Sequence, residues 1–207
     1  TPVLSVNEDS FYQYNITATD PDVGDVLTLK ALSKPSWLTL TDNGNGTGTL
    51  TGTPLNANVG IFSIVLNVED LAGANVNQNF SITVNNTNDA PVFSSTPVTA
   101  ALQDNQYQYN VTTTDVDAGD SRTITAVVLP SWLTLTPQGG GTALLSGTPT
   151  NANLGSNPVT LRVTDFAGAI SNQSFTINVD NANDPPSFTS SPVTAGTEEL
   201  LYSYSIT

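Results

Sequence analysis

The strongest constraint on this chain is that its sequence repeats at an offset of 95 residues, the separation between Tyr12 and Tyr107. The matching segments are Tyr12-Gln13-Tyr14 with Tyr107-Gln108-Tyr109 and Tyr202-Ser203-Tyr204, Pro35-Ser36-Trp37-Leu38 with Pro130-Ser131-Trp132-Leu133, and Gly52-Thr53-Pro54 with Gly147-Thr148-Pro149. A unit of this length is long for a solenoid repeat and typical of a self-contained β-sandwich domain. We therefore predict one domain at 1–89, a second at 90–184, and the truncated start of a third repeat at 185–207.

The third segment is too short to form a domain by itself. It supplies about two strands, and an isolated hairpin is marginally stable in water. We expect it either to be disordered or to complete a sheet by swapping into a neighbouring molecule. The chain begins and ends inside the repeat pattern, which predicts an excised piece of a longer secreted protein whose signal sequence lies elsewhere.

Each unit reads as a series of short strands. Segments rich in Val, Ile, Thr, Tyr and Phe alternate with clusters of Gly, Pro, Asn and Asp, as expected for antiparallel strands and turns. The predicted strands of the first unit are 11–18, 26–32, 37–41, 47–51, 61–68 and 79–84, within a total of about seven. No helical period is present. The fold class is therefore predicted to be all-β, in tandem Ig-like or cadherin-like Greek-key β-sandwiches.

Trp37 and Trp132 are predicted to anchor the two cores. Each follows Pro-Ser and precedes an alternating Leu-Thr-Leu segment, so one face of the strand points inward. Tyr12 and Tyr107 share this inward pattern with the tyrosines two residues later. The alternative for all these aromatic residues is an exposed platform that stacks on sugars.

Composition excludes several classes of function. The chain has 4 Lys and Arg against 18 Asp and Glu, a net charge of −14, so nucleic acid and anionic membranes would be repelled. It has no Cys and no His, which removes thiolate metal sites, the usual transition-metal ligand and the usual general base. Without an apolar run of transmembrane length, direct membrane insertion of this fragment is not expected. Catalysis is not expected either, because the paired carboxylates repeat with the fold and stand on short loops.

The acidic residues concentrate in a repeated motif. Asp20-Pro21-Asp22-Val23-Gly24-Asp25 recurs as Asp115-Val116-Asp117-Ala118-Gly119-Asp120. Each Asp-x-Asp ends a strand and enters a loop, so both carboxylates can face one cation. Calcium prefers six to eight oxygen ligands of this kind. The simpler interpretation is that Asp and Asn only cap turns, but the duplication beside each domain joint favours a metal.

Four motifs together resemble the bacterial cadherin-like family, in particular the dystroglycan-type cadherin-like and Ig-like repeats of large surface adhesins. They are Ala18-Thr19-Asp20-Pro21-Asp22-Val23-Gly24-Asp25, Gly52-Thr53-Pro54, Val68-Glu69-Asp70-Leu71-Ala72-Gly73 and Asn86-Thr87-Asn88-Asp89-Ala90-Pro91. The resemblance covers the whole chain as two units and a fragment. It implies calcium between successive domains, cell adhesion as the role of the parent protein, and an extracellular location on a bacterial cell surface.

The resemblance also implies a ligand set at the complete joint. The ligands would be Asn86, Asn88 and Asp89 from the linker, Asp115, Asp117 and Asp165 from the following domain, and Glu8 from the preceding domain. Partial sites would contain Asp20, Asp22 and Asp70 at one end, and Asn181, Asn183 and Asp184 at the other. An acidic Asp-x-Glu counterpart is missing near Thr53-Pro54-Leu55-Asn56, so one or two ions per joint are expected. Gln103 replaces Glu8 in the second unit, which predicts weaker binding at the second joint.

These expectations lead to three functional hypotheses. The first is a calcium-binding adhesin repeat whose joint stiffens with calcium, as an elongated monomer or weak oligomer. The second is a carbohydrate-binding module of a protein that binds or degrades polysaccharide, with Tyr12, Tyr107 or Phe166 as the stacking aromatic. The third is homophilic cell–cell adhesion, which ranks last because no Trp lies near the amino terminus. The final partner, a polysaccharide or a surface protein, is left open by the sequence.

Overall fold

The computed structural model describes residues 1–22 and 24–207, and its regular structure is almost entirely β. Val23, in the middle of the first Asp-rich motif, lies outside the described residues. The alternation of apolar and polar residues produces strands with one buried face, as in Tyr12–Thr17, where every second residue is buried. No helix in the described part is long and apolar enough to cross a membrane. The all-β prediction is confirmed.

The first seven strands form two sheets that pack face to face. These strands are β1 (Ser5–Asn7), β2 (Tyr12–Thr17), β3 (Thr28–Ser33), β4 (Leu38–Asp42), β5 (Thr47–Gly52), β6 (Gly60–Glu69) and β7 (Asn75–Asn85). One sheet has the order β1-β7-β6-β3 and the other β2-β5-β4. A 3₁₀ turn at Asn56–Asn58 connects them.

The remaining strands repeat this arrangement with one addition. They are β8 (Val92–Phe93), β9 (Ala100–Leu102), β10 (Tyr107–Thr114), β11 (Thr123–Val128), β12 (Leu133–Gly139), β13 (Thr142–Gly147), β14 (Gly155–Thr164) and β15 (Ile170–Asp180). The sheet orders are β9-β15-β14-β11 and β8-β10-β13-β12. β8 joins the second sheet antiparallel to β10, and a 3₁₀ turn lies at Asn151–Asn153.

The short strands β1 and β9 differ from the antiparallel prediction. Each runs parallel to the last long strand of its unit, with Val6 opposite Val84 and Ala101 opposite Val179. This pairing brings the residue after β1, Glu8, beside the end of β7, where its backbone N–H donates to Asn85. The fold therefore delivers Glu8 to the place where the linker leaves the first sandwich.

Each sandwich has its own apolar core. Tyr12, Leu38, Leu50 and Ile82 are almost fully buried in the first, and their counterparts in the second pack in the same way. Trp37 and Trp132 are half-buried and pack against these cores, in agreement with the anchor prediction. Trp37 meets Tyr12 edge to face with ring centroids 5.9 Å apart.

The ring nitrogens of the two tryptophans have different surroundings. Trp132 Nε1 donates to Asn157 at 3.0 Å, whereas Trp37 faces Phe62, which occupies the equivalent position. The nitrogen of Trp37 is buried and has no hydrogen-bond partner in the described structure. The first core therefore replaces a hydrogen bond with an aromatic contact.

Candidate metal centre at the joint

The linker after β7 brings acidic side chains from three parts of the chain together. Glu8 from the first sandwich, Asp89 from the linker and Asp117 from the second sandwich each place a carboxylate oxygen within 4.8 Å of the others. Glu8 is 1% exposed and Asp117 is 7% exposed. Residues 109 positions apart in sequence thus share one buried acidic cluster, called here the inner cluster.

Hydrogen bonds hold the inner cluster in place. Glu8 Oε1 accepts the Thr87 backbone N–H at 2.6 Å, and Asp117 Oδ2 accepts the Asp89 backbone N–H at 2.7 Å. The side-chain amide of Asn56 donates to Asp89 Oδ2 at 2.9 Å. Each sandwich is therefore tied to the linker through one oxygen of a carboxylate.

A second group, called here the outer cluster, lies in the second sandwich. Asp115, Asp120 and Asp165 also place carboxylate oxygens within 4.8 Å of one another. The linker reaches this group as well, because Asn88 Nδ2 donates to Asp165 Oδ2 at 2.9 Å. Asp115 Oδ1 accepts the backbone N–H of Asp117 at 3.0 Å, which fixes the Asp-x-Asp loop.

Three oxygens in these clusters have no partner. Glu8 Oε2, Asp117 Oδ1 and Asp115 Oδ2 are buried and accept no hydrogen bond in the described structure. A buried carboxylate oxygen without a donor is costly, unless a cation supplies the missing interaction. The donor set is made of oxygen alone and lacks His and Cys, which fits a hard cation.

The hydrogen bonds and charges around these groups shift two pKa values in opposite directions. The hydrogen bond from Asn88 lowers the pKa of the Asp165 carboxyl; partial burial opposes the shift, and the backbone N–H groups of Ala169 and Gly168 reinforce it. Asp25, in the loop between β2 and β3, has a raised pKa because it loses hydration and lies near the charges of Asp70, Asp20 and Asp22. The surroundings thus favour the charged form of the Asp165 carboxyl group and disfavour the charged form of the Asp25 carboxyl group.

The predicted residues are distributed unevenly over these groups. Glu8, Asp89 and Asp117 meet in the inner cluster, and Asp115 and Asp165 meet in the outer cluster with Asn88 beside them. Asn86 is exposed on the linker. Whether any of these residues binds a metal stays a prediction.

The predicted partial sites have a similar arrangement. Asp20 and Asp70 form a third group with Asp25, whereas the backbone N–H of Asp22 donates to Asp20. Asn181 and Asn183 are exposed. Asp184 accepts a hydrogen bond from the amide of Gln103 at 2.7 Å.

The sequence analysis missed Asp25 and Asp120, which complete the third group and the outer cluster. Both are the last residue of the repeated Asp-x-Asp-x-Gly-Asp motif, so their position at a fixed spacing was the available signal. It also missed Asn56, whose amide holds Asp89 from a loop 33 residues earlier. No local pattern marks that contact.

The aromatic residues named for sugar binding have different environments. Tyr12 and Tyr107 are 2% and 4% exposed, so neither can serve as a stacking surface. Phe166 is 84% exposed. The expectation that Tyr12 or Tyr107 forms a sugar platform is therefore wrong, because the inward face of the strand buries both rings.

Comparison with solved structures places the fold among cadherin ectodomains. PcdhgB3 EC1-4 aligns with a TM-score of 0.63 at 13% identity over 87% of this chain and 48% of that one. Protocadherin Gamma B2 extracellular cadherin domains 3-6 aligns with a TM-score of 0.58 at 16% identity, over 91% of this chain and 48% of that one. At these identities the likeness concerns the fold.

A further similarity is to an endo-fucoidan hydrolase, MfFcnA4, from glycoside hydrolase family 107. Its identity is 29%, and the alignment covers 88% of this chain but 28% of the hydrolase, with a TM-score of 0.42. The chain therefore spans little more than a quarter of that protein, and no argument about activity follows. Comparison with curated protein sequences returned no match.

The most specific comparison is with models of protein families. One model, described as "Putative Ig domain", matches residues 1–85 and again residues 90–180. The two matched segments contain strands β1–β7 and β8–β15, which are the two pairs of sheets described above. Because the matches cover most of the sequence, the chain belongs to the putative Ig domain family, here with a cadherin-like sandwich fold.

Proposed function

We propose that this chain is a calcium-binding, extracellular repeat module of a bacterial surface adhesin, and that calcium stiffens the joint between its two sandwiches. The observation that carries the proposal is the set of three buried carboxylate oxygens without partners, Glu8 Oε2, Asp117 Oδ1 and Asp115 Oδ2. They come from both sides of the joint. A cation placed there contacts both sandwiches at once.

Calcium is the ion that suits this donor set. It accepts six to eight oxygens in flexible geometry, whereas magnesium requires near-ideal octahedral ligation and retains its water. Carboxylates, an amide and backbone carbonyls are available at the linker, and no His or Cys is present in the sequence. A net charge of −14 further favours cations in general.

The two clusters suggest two ions at the joint. Glu8, Asp89 and Asp117 would hold one ion between the sandwiches, and Asp115, Asp120 and Asp165 would hold another within the second sandwich. The inner ion would stiffen the joint because its ligands come from the first sandwich, the linker and the second sandwich. The outer ion fixes the Asp-x-Asp loop that positions Asp117.

The mechanism is electrostatic. Without cation, Glu8, Asp89 and Asp117 repel one another at close range in a partly desolvated site, which favours opening of the joint. Calcium neutralises this charge and replaces repulsion with shared ligation. The linker then has one preferred conformation, and the module transmits force as a stiff rod without any catalytic step.

The proposed location outside the cell follows from the expected affinity. Calcium sites of extracellular modules bind on the order of 10⁻⁴ to 10⁻³ M, which suits an external medium. The solved structures with the same fold include protocadherin extracellular cadherin domains. A polysaccharide or a surface protein is the proposed final partner of the parent adhesin.

Calorimetric calcium titration of the chelated chain tests the proposal. The parent is expected to bind calcium saturably, and the Asp115→Ala, Asp117→Ala double variant to lose that binding because it removes one ligand from each cluster. Glu198→Gln removes an acidic charge from an exposed turn outside both clusters and serves as the matched control. No binding by the parent up to several millimolar calcium, or binding retained by the double variant, would contradict the proposal.

Carbohydrate binding is a second proposal because Phe166 is 84% exposed on a loop. Exposed aromatic rings are suited to stacking on sugar faces. A pull-down with insoluble polysaccharides should retain the chain and lose the Phe166→Ala variant. Equal retention of both proteins, or of neither, would remove this candidate.

A further inference from the structure

The hairpin between β4 and β5 contains two Asn-Gly pairs, Asn43-Gly44 and Asn45-Gly46, and the sequence has no others. Because glycine has no Cβ to shield its nitrogen, this pair allows the backbone to approach the asparagine side chain closely. The equivalent hairpin of the second sandwich reads Gln138-Gly139-Gly140-Gly141 and contains no asparagine. The two repeats therefore differ at a place where the backbone can react with a side chain.

The tip of this hairpin is exposed to water. Asn43, Gly44 and Asn45 are all exposed. Residues 138–140, at the tip of the second hairpin, are exposed as well, although a whole sandwich precedes them. The exposure is thus a property of the hairpin and is common to both repeats.

The fold requires glycine after Asn45. Gly46 has a φ of +75°, and a Cβ there would lie 2.7 Å from the carbonyl oxygen of Ala18. The Gly46 carbonyl also accepts the Ala18 backbone N–H at 2.7 Å, which joins the hairpin to the residue after β2. Gly141 retains this conformation in the second sandwich, with a φ of +75°. A larger residue at position 46 would therefore protect Asn45 only by changing the turn.

Two groups of Thr47 polarise the side-chain carbonyl of Asn45. The Thr47 hydroxyl donates to Asn45 Oδ1 at 2.6 Å, and the Thr47 backbone N–H donates to the same oxygen at 3.1 Å. Donors on a carbonyl oxygen stabilise the negative charge that develops there when a nucleophile adds to the carbon. Within the described residues the Gly46 N–H donates to no protein group, so the neighbouring nitrogen is not engaged elsewhere.

Asn43 has the opposite surroundings. Asn43 Nδ2 donates to Thr47 Oγ1 at 2.9 Å, so the amide group that would leave is held by the hairpin. The Gly44 N–H donates to Asp42 Oδ1 at 3.0 Å, and the charge of that carboxylate opposes loss of the proton from nitrogen. Of the two pairs, Asn45-Gly46 alone combines a polarised carbonyl with an unengaged glycine nitrogen.

We propose that Asn45 is a site of spontaneous deamidation. The Gly46 nitrogen adds to Cγ of Asn45, and its proton passes through solvent to Nδ2. The Cγ–Nδ2 bond then breaks, ammonia leaves, and the new Cγ–N bond closes a cyclic imide. Water opens this ring at either carbonyl and leaves aspartate or isoaspartate at position 45. The reaction consumes only water.

Deamidation adds a negative charge beside the first Asp-rich loop, because Asn45 lines a pocket together with Asp20, Asp22 and Asp25. Isoaspartate also inserts a methylene group into the backbone before Gly46. The hydrogen bond from Ala18 to Gly46, which lies just before this loop, is then weakened. The second hairpin has no asparagine, so ageing of the protein should loosen one Asp-rich loop and leave its counterpart unchanged.

Peptide mapping by mass spectrometry, after incubation of the chain in mildly alkaline buffer, tests the site. The folded chain should lose the amide of Asn45 faster than that of Asn43. A synthetic peptide of residues 41–49, in which no fold holds either pair, should lose both amides at similar rates. Equal rates at the two asparagines in the folded chain would overturn the proposal.

Variants of Thr47 test the part played by its hydroxyl. Thr47→Val should slow the reaction at Asn45 roughly two- to tenfold, the rate equivalent of one hydrogen bond. Thr47→Ser keeps the hydroxyl and should react at the rate of the parent. An unchanged or faster reaction at Asn45 in the Thr47→Val variant would contradict the assigned role of the hydroxyl.

Hydrogen exchange of two equivalent amides measures the consequence. The Ala18 N–H should exchange faster in the isoaspartate fraction, whereas the Thr113 N–H, which donates to Gly141 at 3.1 Å, should not change. Asn45→Ser keeps a side-chain oxygen for the turn, and both of its amides should stay slow after the same incubation. Unchanged exchange at Ala18 after conversion would overturn the link between the hairpin and the loop. None of these measurements needs calcium, so their outcome is independent of the metal proposal.

Discussion

Glu8 and Gln103 occupy equivalent positions in the two repeats, and each is 1% exposed. Glu8 Oε2 is buried without a donor, whereas Gln103 Nε2 donates to Asp184 at 2.7 Å and to Asp104 at 3.0 Å. The change from a carboxylate to an amide therefore replaces an oxygen without a donor by a group that is itself a donor, although Gln103 Oε1 is also buried without a partner. Asp184 of the second linker therefore has its donor in Gln103, whereas Asp89 of the first linker takes its donor from Asn56.

The Glu8→Gln substitution should separate the metal effect from folding. In chelator the variant should be at least as stable as the parent because a buried, partly unpaired charge is removed. Its calcium affinity should fall about tenfold, equivalent to roughly 1.4 kcal/mol. Thermal melts and calorimetry with and without calcium measure both effects. If the variant keeps the affinity of the parent, Glu8 is not a ligand.

Buried tyrosines make stability depend on pH in the alkaline range. Burial, with a smaller contribution from Tyr14, raises the pKa of Tyr12 to about 12, and burial likewise raises the pKa of Tyr107. The folded chain retains these protons above pH 10, where the unfolded chain releases them. This contribution to stability is therefore complete below pH 10 and is lost as pH rises towards 12.

Melting temperatures between pH 9 and 12 should fall steeply in the parent. The hydroxyls of Tyr12 and Tyr107 donate to the carbonyls of Val3 and Val98. A Tyr12→Phe, Tyr107→Phe double variant should show a shallower decline, starting from a stability lower by about 1 kcal/mol for each of these hydrogen bonds. Tyr202→Phe, at a half-exposed ring, should keep the slope of the parent. Equal slopes in all three proteins would refute the assignment to the buried rings.

At the scale of elements, the backbone of each tryptophan segment lies so close to the neighbouring strand that glycine is required at the contact. Gly52 on β5 lies opposite Leu38 on β4, and a Cβ at this position would lie against the backbone carbonyl of Trp37. Gly147 has the same relation to Trp132. The glycine of the repeated Gly-Thr-Pro motif is thus required by packing, because the backbone of its strand contacts the backbone of the tryptophan segment.

Gly52→Ala should destabilise the first sandwich by roughly 1–3 kcal/mol, because the backbone of β4 or β5 must shift to accommodate the methyl group. Urea unfolding followed by tryptophan fluorescence measures the change. Gly196→Ala is the control, since a Cβ there would be 3.7 Å from the Tyr202 ring and meets no backbone. A change below about 0.5 kcal/mol at Gly52 would show that the strands adjust freely.

At the scale of the whole molecule, the joint determines how the two sandwiches move relative to each other. Its direct ties are few and pass through the linker, such as Asn88 to Asp165 and Asp89 to Asp117. Both acceptors are carboxylates that the proposed ions would also bind. The proposed calcium ions would therefore bind the same carboxylates that connect the linker to the second sandwich.

Spin labels at Thr39→Cys and Thr134→Cys, two exposed and equivalent strand positions, should report this effect. Their distance distribution should be broad in chelator and become narrower with calcium. A pair within the first sandwich, Thr39→Cys with Asn15→Cys, should not change. If the distance distribution between the two sandwiches has the same width with and without calcium, the stiffening part of the proposal is wrong, even if the ion binds.

The sequence by itself determined the fold class and the repeat. Period-two patterning over short segments is a local property, and it is sufficient to indicate strands with one buried face. The 95-residue offset, visible in the Tyr-x-Tyr and Gly-Thr-Pro motifs, indicated equivalent units. The repeated Asp-x-Asp loops also indicated Asp20, Asp115 and Asp117 as members of acidic groups, because the spacing within each pair is fixed by a single turn.

Only the tertiary structure decided which acidic residues share a cluster. Glu8 reaches Asp117 because β1 runs parallel to β7, which places Glu8 where the linker leaves the first sandwich. Asp25 and Asp120 join their groups through the conformation of the loops that contain them. Such contacts depend on the packing of distant segments, for which a local sequence pattern contains no distance information.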